Sequence, residues 1–245
     1  MKIITIGILF ATIFILISNL PAIYSKEIST GFENDINHSD QVIFRDDFDN
    51  ENDIWVHWNE GCGSHYIEEG NCRLSIWYGD QYHYHNSEIW TNDSISFLYN
   101  NFKAGISVDK TTKGSKGWGF YNRNYCDDKM SYAWFMYNRF SSLGLFPTNG
   151  FFAICWNGDR DWSIKRIRNI DLSEYHIYEI KWAEDCVGFF IDGKSVAHFT
   201  RGIPTNELKV DVWIDNMNFF PPFFAYMLRI RLPNSINIDF IEVTE

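Results

Sequence analysis

Residues 175–199 read "YHIYEIKWAEDCVGFFIDGKSVAHF". Tyr178, Ile180 and Trp182 alternate with Glu179 and Lys181, the period of two that gives a strand one buried and one wet face. "AEDC" turns the chain. Val187 to Ile191 is a second apolar run, and Asp192-Gly193 after it supplies the positive φ of a tight two-residue hairpin. Three consecutive antiparallel strands are predicted here. The same texture extends outward from Val42: short β-branched and aromatic runs separated by Gly, Asn, Asp and Pro, with no internal repeat, low-complexity tract or long amphipathic helix. That is the pattern of one all-β domain, a sandwich or barrel.

The chain opens "MKIITIGILFATIFILISNLPAIYSKE", a long apolar run leaving through the small residue Ser25. It reads as a secretory signal peptide over residues 1–25, with an uncleaved membrane anchor as the competing reading. Residues 26–41 are a polar, aperiodic lead-in, and residues 42–245 form the domain. A secreted or cell-surface location follows as an expectation. The net charge of −11 repels phosphate backbones and offers no basic patch for an anionic membrane, which excludes nucleic acid as a partner class. An oxidising compartment permits disulfides among Cys62, Cys72, Cys126, Cys155 and Cys186. Cys62 and Cys72 bracket a short excursion and are the favoured pair, while Cys155 in "FFAICWNG" reads as a buried apolar thiol. Asn37 and Asn92 match the N-glycosylation acceptor pattern.

Residues 174–199 resemble the segment of glycoside hydrolase family 16 in which a "YHTYAIEWTPDRIRFYVDGKLV"-like stretch forms consecutive strands. "FRDDFDNENDIWVHW" (44–58) followed by "EEGNCRLSIW" (68–77) is similar to that family's opening, and "SINIDFIEV" (235–243) resembles its closing strand. The resemblance implies a concanavalin A-like jelly roll of two antiparallel sheets, one of them curved into a glycan-holding cleft. It also implies a structural calcium held by Asp239 and the backbone of Gly70, in keeping with that ion's preference for oxygen ligands. No other cofactor is expected.

Retaining hydrolysis of a glycosidic bond needs two carboxyl groups about 5 to 5.5 Å apart. Family 16 enzymes carry them on one cleft strand as Glu-x-Asp-x-(x)-Glu. By resemblance the preceding strand is "SKGWGFYNR" (115–123), so the catalytic strand corresponds to "SYAWFMYNR" (131–139), which contains no Asp or Glu. Relocated carboxylates are the alternative. Asp127, Asp128, Asp159 and Asp161 sit in turn-like stretches. Asp211 and Asp215 share a strand face about 13 Å apart, too far for either standard geometry, although one of them could pair with Glu88.

Sugar recognition stacks aromatic rings on pyranose faces and meets the hydroxyls with carboxylates, amides and Arg. Aromatic residues make up 18% of the chain, but sandwich cores consume aromatics too, so only those sharing a strand face with polar groups count. Glu88 and Trp90 share a face with Tyr84 and Asn86 in "YHNSEIWTN". Tyr121 and Arg123 share a face opposite Trp118 and Phe120. Asp211, Trp213 and Asp215 oppose Val210, Val212 and Ile214, so their face reads as outward. Trp134 and Asn138 are assigned to the cleft side of a strand whose two faces are both apolar. His83 and His85 form an H-x-H pair without a third ligand, a weak zinc signal.

The sequence thus points to a secreted protein that binds an extracellular polysaccharide on a family 16-like scaffold without the usual catalytic carboxylates. An active hydrolase or transglycosylase with relocated carboxylates, and an adhesion module that binds protein, are its rivals.

Overall fold

The computed structural model describes residues 41–78, 80, 82–109, 114–123, 130–139, 149–158, 161–220, 224–227 and 233–245, with backbone alone for 218–220 and 224–227. The leader, most of the lead-in, Asn37, Cys126, Asp127, Asp128 and Asp159 lie outside these residues. Among the described residues the regular elements are all strands.

The first sheet runs, in spatial order, β13 (Lys194–Phe199), β12 (Val187–Ile191), β11 (His176–Trp182), β6 (Asn101–Val108), β17 (Asn234–Thr244), β4 (Asn71–Ile76) and β3 (Gly63–Glu68), with β1 (Val42–Asp46) paired to the end of β17. The second runs β10 (Trp162–Ile167), β9 (Gly150–Trp156), β8 (Tyr132–Arg139), β7 (Gly114–Tyr121), β14 (Lys209–Asp215), β5 (Asn86–Thr91) and β2 (Trp55–Glu60). A hairpin of β15 (Met217–Phe220) and β16 (Phe224–Met227) follows β14 and lies against β7 and β8. All pairings are antiparallel, and the whole is a jelly-roll sandwich.

The predicted meander is β11, β12 and β13. Tyr178, Ile180 and Trp182 are buried, and Asp192 and Gly193 take φ of 50° and 72°, both in the left-handed region a tight hairpin demands. Between the sheets, Trp118 and Phe120 of β7, Phe135 of β8 and Val210, Val212 and Ile214 of β14 meet Ala104, Ile106, Tyr178, Ile180, Phe189, Ile236 and Ile238 in one continuous core. Cys155 is part of that core, as its apolar setting suggested.

The expected Cys62 to Cys72 bridge does not form. β3 and β4 are joined by Glu69-Gly70, both with positive φ, so the hairpin register sets Cys72 opposite Ile67 and brings Cys62 beside Trp77, whose N–H donates to the Cys62 carbonyl at 3.3 Å. Five residues of strand, about 16 Å, therefore separate the two thiols, beyond the reach of a disulfide. Both are free.

Candidate functional site

The face of the second sheet that looks away from the first is assembled by register. Across β14 and β7, Asp211 faces Gly119, Trp213 faces Gly117 and Asp215 faces Ser115. β8 continues the rows with Trp134 opposite Gly119, Met136 opposite Gly117 and Asn138 opposite Ser115. On the other side of β14, Trp90 faces Asp211, Glu88 faces Trp213 and Asn86 faces Asp215. The parity assignments of Glu88, Trp90, Tyr121, Trp134, Asn138, Asp211, Trp213 and Asp215 all place them on this one surface. β8 contributes Tyr132, Trp134, Met136 and Asn138 to it, and no carboxylate.

Little of this surface is exposed to solvent. Asp211, Asp215, Asn138 and Asn86 are buried, and so are Trp134 and Trp213. Alternation assigns a face but not its exposure, and here the rings of neighbouring strands cover one another. Trp134 stacks on Tyr132 with centroids 3.9 Å apart and planes 9° apart, and tilts onto Trp213 at 4.5 Å and Tyr121 at 4.9 Å. Met136, Phe152, Ile154 and Trp156 extend this second apolar cluster. Gly117 makes room for it: a Cβ there would lie 2.2 Å from the Trp213 ring.

Two of the acidic residues have different fates. Asp215 is fully engaged: its Oδ1 accepts from Ser115 Oγ at 2.7 Å and from the Met217 N–H at 2.9 Å, and Ser115 in turn receives the Trp213 indole N–H at 3.2 Å. Asp215 is thus a brace for the strand end. Asp211 is about 1% exposed, and among the described residues its Oδ1 accepts no hydrogen bond. Its cation is Arg123, whose Nη1 lies 3.9 Å away and makes a much closer ion pair with Glu88 Oε1. Glu88 Oε2 also accepts from Asn86 Nδ2 at 3.0 Å. Burial pushes the Asp211 carboxyl up to about 7 against the opposing pull of Arg123, and burial pushes Asp215 up to about 7 against its hydrogen bonds.

Arg123 reaches this position because it leaves β7 at φ 58°, a left-handed conformation uncommon for a residue with a side chain. The Asn122 N–H donates to the Ser131 carbonyl and the Ser131 N–H to Asn122 Oδ1, which fixes that exit. The guanidinium carbon then sits 3.7 Å from the Trp90 ring centroid. The convergence of Glu88, Asp211 and Arg123 involves three separate elements, and only the Glu88 pairing was foreseeable as an option.

Several polar atoms of this face are buried and without a hydrogen-bond partner among the described residues: Trp134 Nε1, Trp156 Nε1, Tyr132 OH, Asn86 Oδ1 and Asp211 Oδ1. Open space lies at the β2 edge of the sheet, strands away from β8 and β9. A groove of about 610 Å³ is lined by Trp58, Glu60, Tyr82, His83 and Tyr84, with Trp58 paired across to Glu88 and Glu60 to Asn86. Tyr82 is 74% exposed, and Trp58 and Tyr84 stand 5.8 Å apart. Trp58 escaped the sequence reading because in "WVHWNE" both faces carry a tryptophan, and only the register sends Trp55 to the core and Trp58 to the groove.

The remaining expectations settle elsewhere. Asp239 is the extra residue of a bulge in β17 and accepts the Tyr175 hydroxyl at 2.8 Å. Gly70 occupies the β3–β4 turn, with the Asp47 carbonyl and an Asp49 carboxylate oxygen each 3.6 Å from where its Cβ would be. These oxygens suit a hard cation in donor type; among the described residues no three His, Cys, Asp or Glu side chains cluster as metal ligands. His83 holds Asp80, and His85 Nδ1 accepts from the Cys62 N–H, so the H-x-H pair is structural. The Asn92 amide closes a turn through the Asp53 carbonyl and Ser94. Asp161 pairs with Arg201.

Solved structures share this architecture. A GlcNAcα1-4Gal-releasing endo-β-galactosidase from Clostridium perfringens superposes with a TM-score of 0.62 at 16% identity, over 84% of this chain and 62% of its own. A glycoside hydrolase family 16 endo-glucanase from Bacteroides ovatus gives 0.59 at 12% identity, over 82% of this chain and 99% of its own. The fold is that of family 16 glycoside hydrolases. The laminarinase catalytic domain of Thermotoga maritima gives 0.59 at 14% identity, over 84% of this chain and 98% of its own. This chain therefore spans 62% of the first of these proteins and nearly all of the other two. No protein-family profile matches the sequence, and no curated protein matches it significantly.

Proposed function

We propose that this protein is a secreted or cell-surface glycan-binding protein, which takes a polysaccharide segment in the groove beside Trp58 at the edge of a family 16-like sandwich. The observation that carries this reading is the groove at the β2 edge, where the rings of Trp58, Tyr82 and Tyr84 stand beside Glu60 and His83. Rings with polar neighbours are the chemistry that pyranose recognition uses. The structural neighbours named above, an endo-β-galactosidase, an endo-glucanase and a laminarinase, act on glycans. The location rests on the apolar leader. A structural calcium at Asp239 and the Gly70 carbonyl belongs to the same proposal and would supply rigidity, with no chemical step. Titration calorimetry against β-glucan, galactan and xyloglucan oligosaccharides tests it. Binding that weakens in Trp58→Ala supports the groove; binding unchanged in Trp58→Ala removes it.

A second reading has its own support. Glu88 Oε1 and Asp211 Oδ1 both lie within 3.9 Å of Arg123 Nη1, a convergence close enough for a hydrolytic pair, with Asp211 near 7 suited to the acid and Glu88 to the carboxylate. Reducing-sugar release from β-glucans, agar, carrageenan or xyloglucan, lost in Glu88→Gln and in Asp211→Asn, would establish hydrolysis; its absence at high enzyme concentration leaves binding.

A further inference from the structure

At the opposite edge of the same sheet from the Trp58 groove, β9 and β10 end beside a pocket of about 550 Å³. Its walls carry Arg166, Arg168 and Asn169, and Tyr137 and Phe151 form an apolar floor. Among the described residues no carboxylate lines it. This is unusual in a chain with a net charge of −11. Arg45, Arg73, Lys103, Arg123, Arg201 and Lys209 each lie within ion-pair distance of an Asp or Glu. Arg166 and Arg168 are exposed, and among the described residues neither makes an ion pair or a side-chain hydrogen bond. Lys165, next to Arg166, is exposed and likewise unpaired among the described residues, and adds to the local positive field. The nearest acid in sequence, Asp171, spends its Oδ1 on the Ser173 N–H and hydroxyl at 3.0 and 2.7 Å.

The pocket is also shaped for its cations. Arg166 pairs in register with Phe152, on the cleft face, and its guanidinium lies over Gly150, where a Cβ would come within 2.8 Å of Nε. Glycine at that position therefore lets the planar group lie across the end of β9. Asn169 holds φ 60°, a left-handed conformation that Asn tolerates better than most residues, and lines the wall of the pocket. A guanidinium presents paired N–H donors that match the oxygens of a sulfate or carboxylate, and a pair of them selects for an anionic group over a hydroxyl.

We infer that this pocket is an anion subsite, formed by Arg166, Arg168 and Asn169, that recognises the oxyanion substituent of an acidic polysaccharide, either a sulfate ester or a uronic acid carboxylate. The inference rests on the glycan-binding reading and specifies its ligand class. Three oligosaccharides of equal length test it: one neutral, one sulfated and one built of uronic acid. Each is titrated by calorimetry into the purified protein and into the Arg166→Gln/Arg168→Gln double variant, whose native fold is checked by circular dichroism. The expected result is that an anionic oligosaccharide binds the parent at least about tenfold more tightly than the neutral one and that the double variant loses this preference while retaining the neutral ligand. Preference for the sulfated ligand assigns the sulfate ester, and preference for the uronate assigns the carboxylate. Equal binding of all three, unchanged in the double variant, overturns the anion subsite and leaves the glycan reading intact. Failure of all three to bind overturns both.

Discussion

Replacing Asp211 with Asn tests whether the carboxylate cluster is sealed from water. In the native protein Asp211 is about 1% exposed, and burial carries its pKa from 3.8 to about 7. The folded state therefore keeps a proton that the unfolded chain has released, and stability falls as pH rises from about 4 to about 7. The difference corresponds to about 4 kcal/mol, fully present above pH 7 and absent below pH 4. The amide of the Asp211→Asn protein would keep the shape and lose the titration. Asp215 titrates in both proteins and cancels in the comparison. Urea unfolding followed by tryptophan fluorescence at pH 4, 6 and 8 should show Asp211→Asn less stable than the parent by about 1 kcal/mol at pH 4 and more stable by about 2–3 kcal/mol at pH 8. A difference between the two proteins that does not change with pH would mean that Asp211 ionises as it does in water, and the argument for a dry cluster around Arg123 would fail.

Three further outcomes follow from the packing. Gly117→Ala forces a Cβ to 2.2 Å from the Trp213 ring and 2.6 Å from the Phe135 carbonyl, and should cost about 1–3 kcal/mol or more in thermal unfolding; an unchanged melting temperature would contradict the tight stacking of the cleft face. Lys116 on the core side of β7 is fully buried, with its Nζ bonded to Asn234 Oδ1, and burial lowers its pKa from 10.5 to about 7. The unfolded chain holds that proton up to higher pH, so native stability should rise between pH 7 and pH 10, and the stability of Lys116→Met relative to the parent should decline over the same range; a flat difference refutes the burial argument. Chelation of calcium should lower the melting temperature of the native protein and leave Asp239→Ala unaffected, while equal effects on both would take Asp239 out of the proposed site.

What the sequence disclosed was mostly local. The Asp192-Gly193 turn and the alternation of Tyr178, Ile180 and Trp182 declare the β11–β13 meander because a turn and a period of two are properties of a few adjacent residues. The faces of β5, β7 and β14 were legible for the same reason. β8 was not, since Ala133, Phe135 and Tyr137 are as apolar as Trp134 and Met136, and only pairing with β7 separates the two sets. The closed state of the cleft face was hidden because it depends on rings from four strands filling one another's space. Arg123 bridging toward Glu88 and Asp211 needs a positive φ outside any strand, which carries no sequence signature in a residue other than glycine. The Cys62 and Cys72 misreading is instructive. "EEGN" already marks the hairpin turn at Glu69-Gly70, and counting outward from it would have set the two cysteines at different heights on the ladder.

The position of β17 has a consequence for biosynthesis. This strand lies between β4 and β6 and also pairs with β1, so the middle of one sheet is supplied by residues 234–244. A chain emerging from the ribosome exposes the edges of β4 and β6 until that segment has been made, and closure of the sheet must join parts of the polypeptide that are nearly two hundred residues apart, as with Asp46 and Ile241. Such distant pairing is slow. Closure of this half of the sandwich therefore waits until translation has passed Thr244.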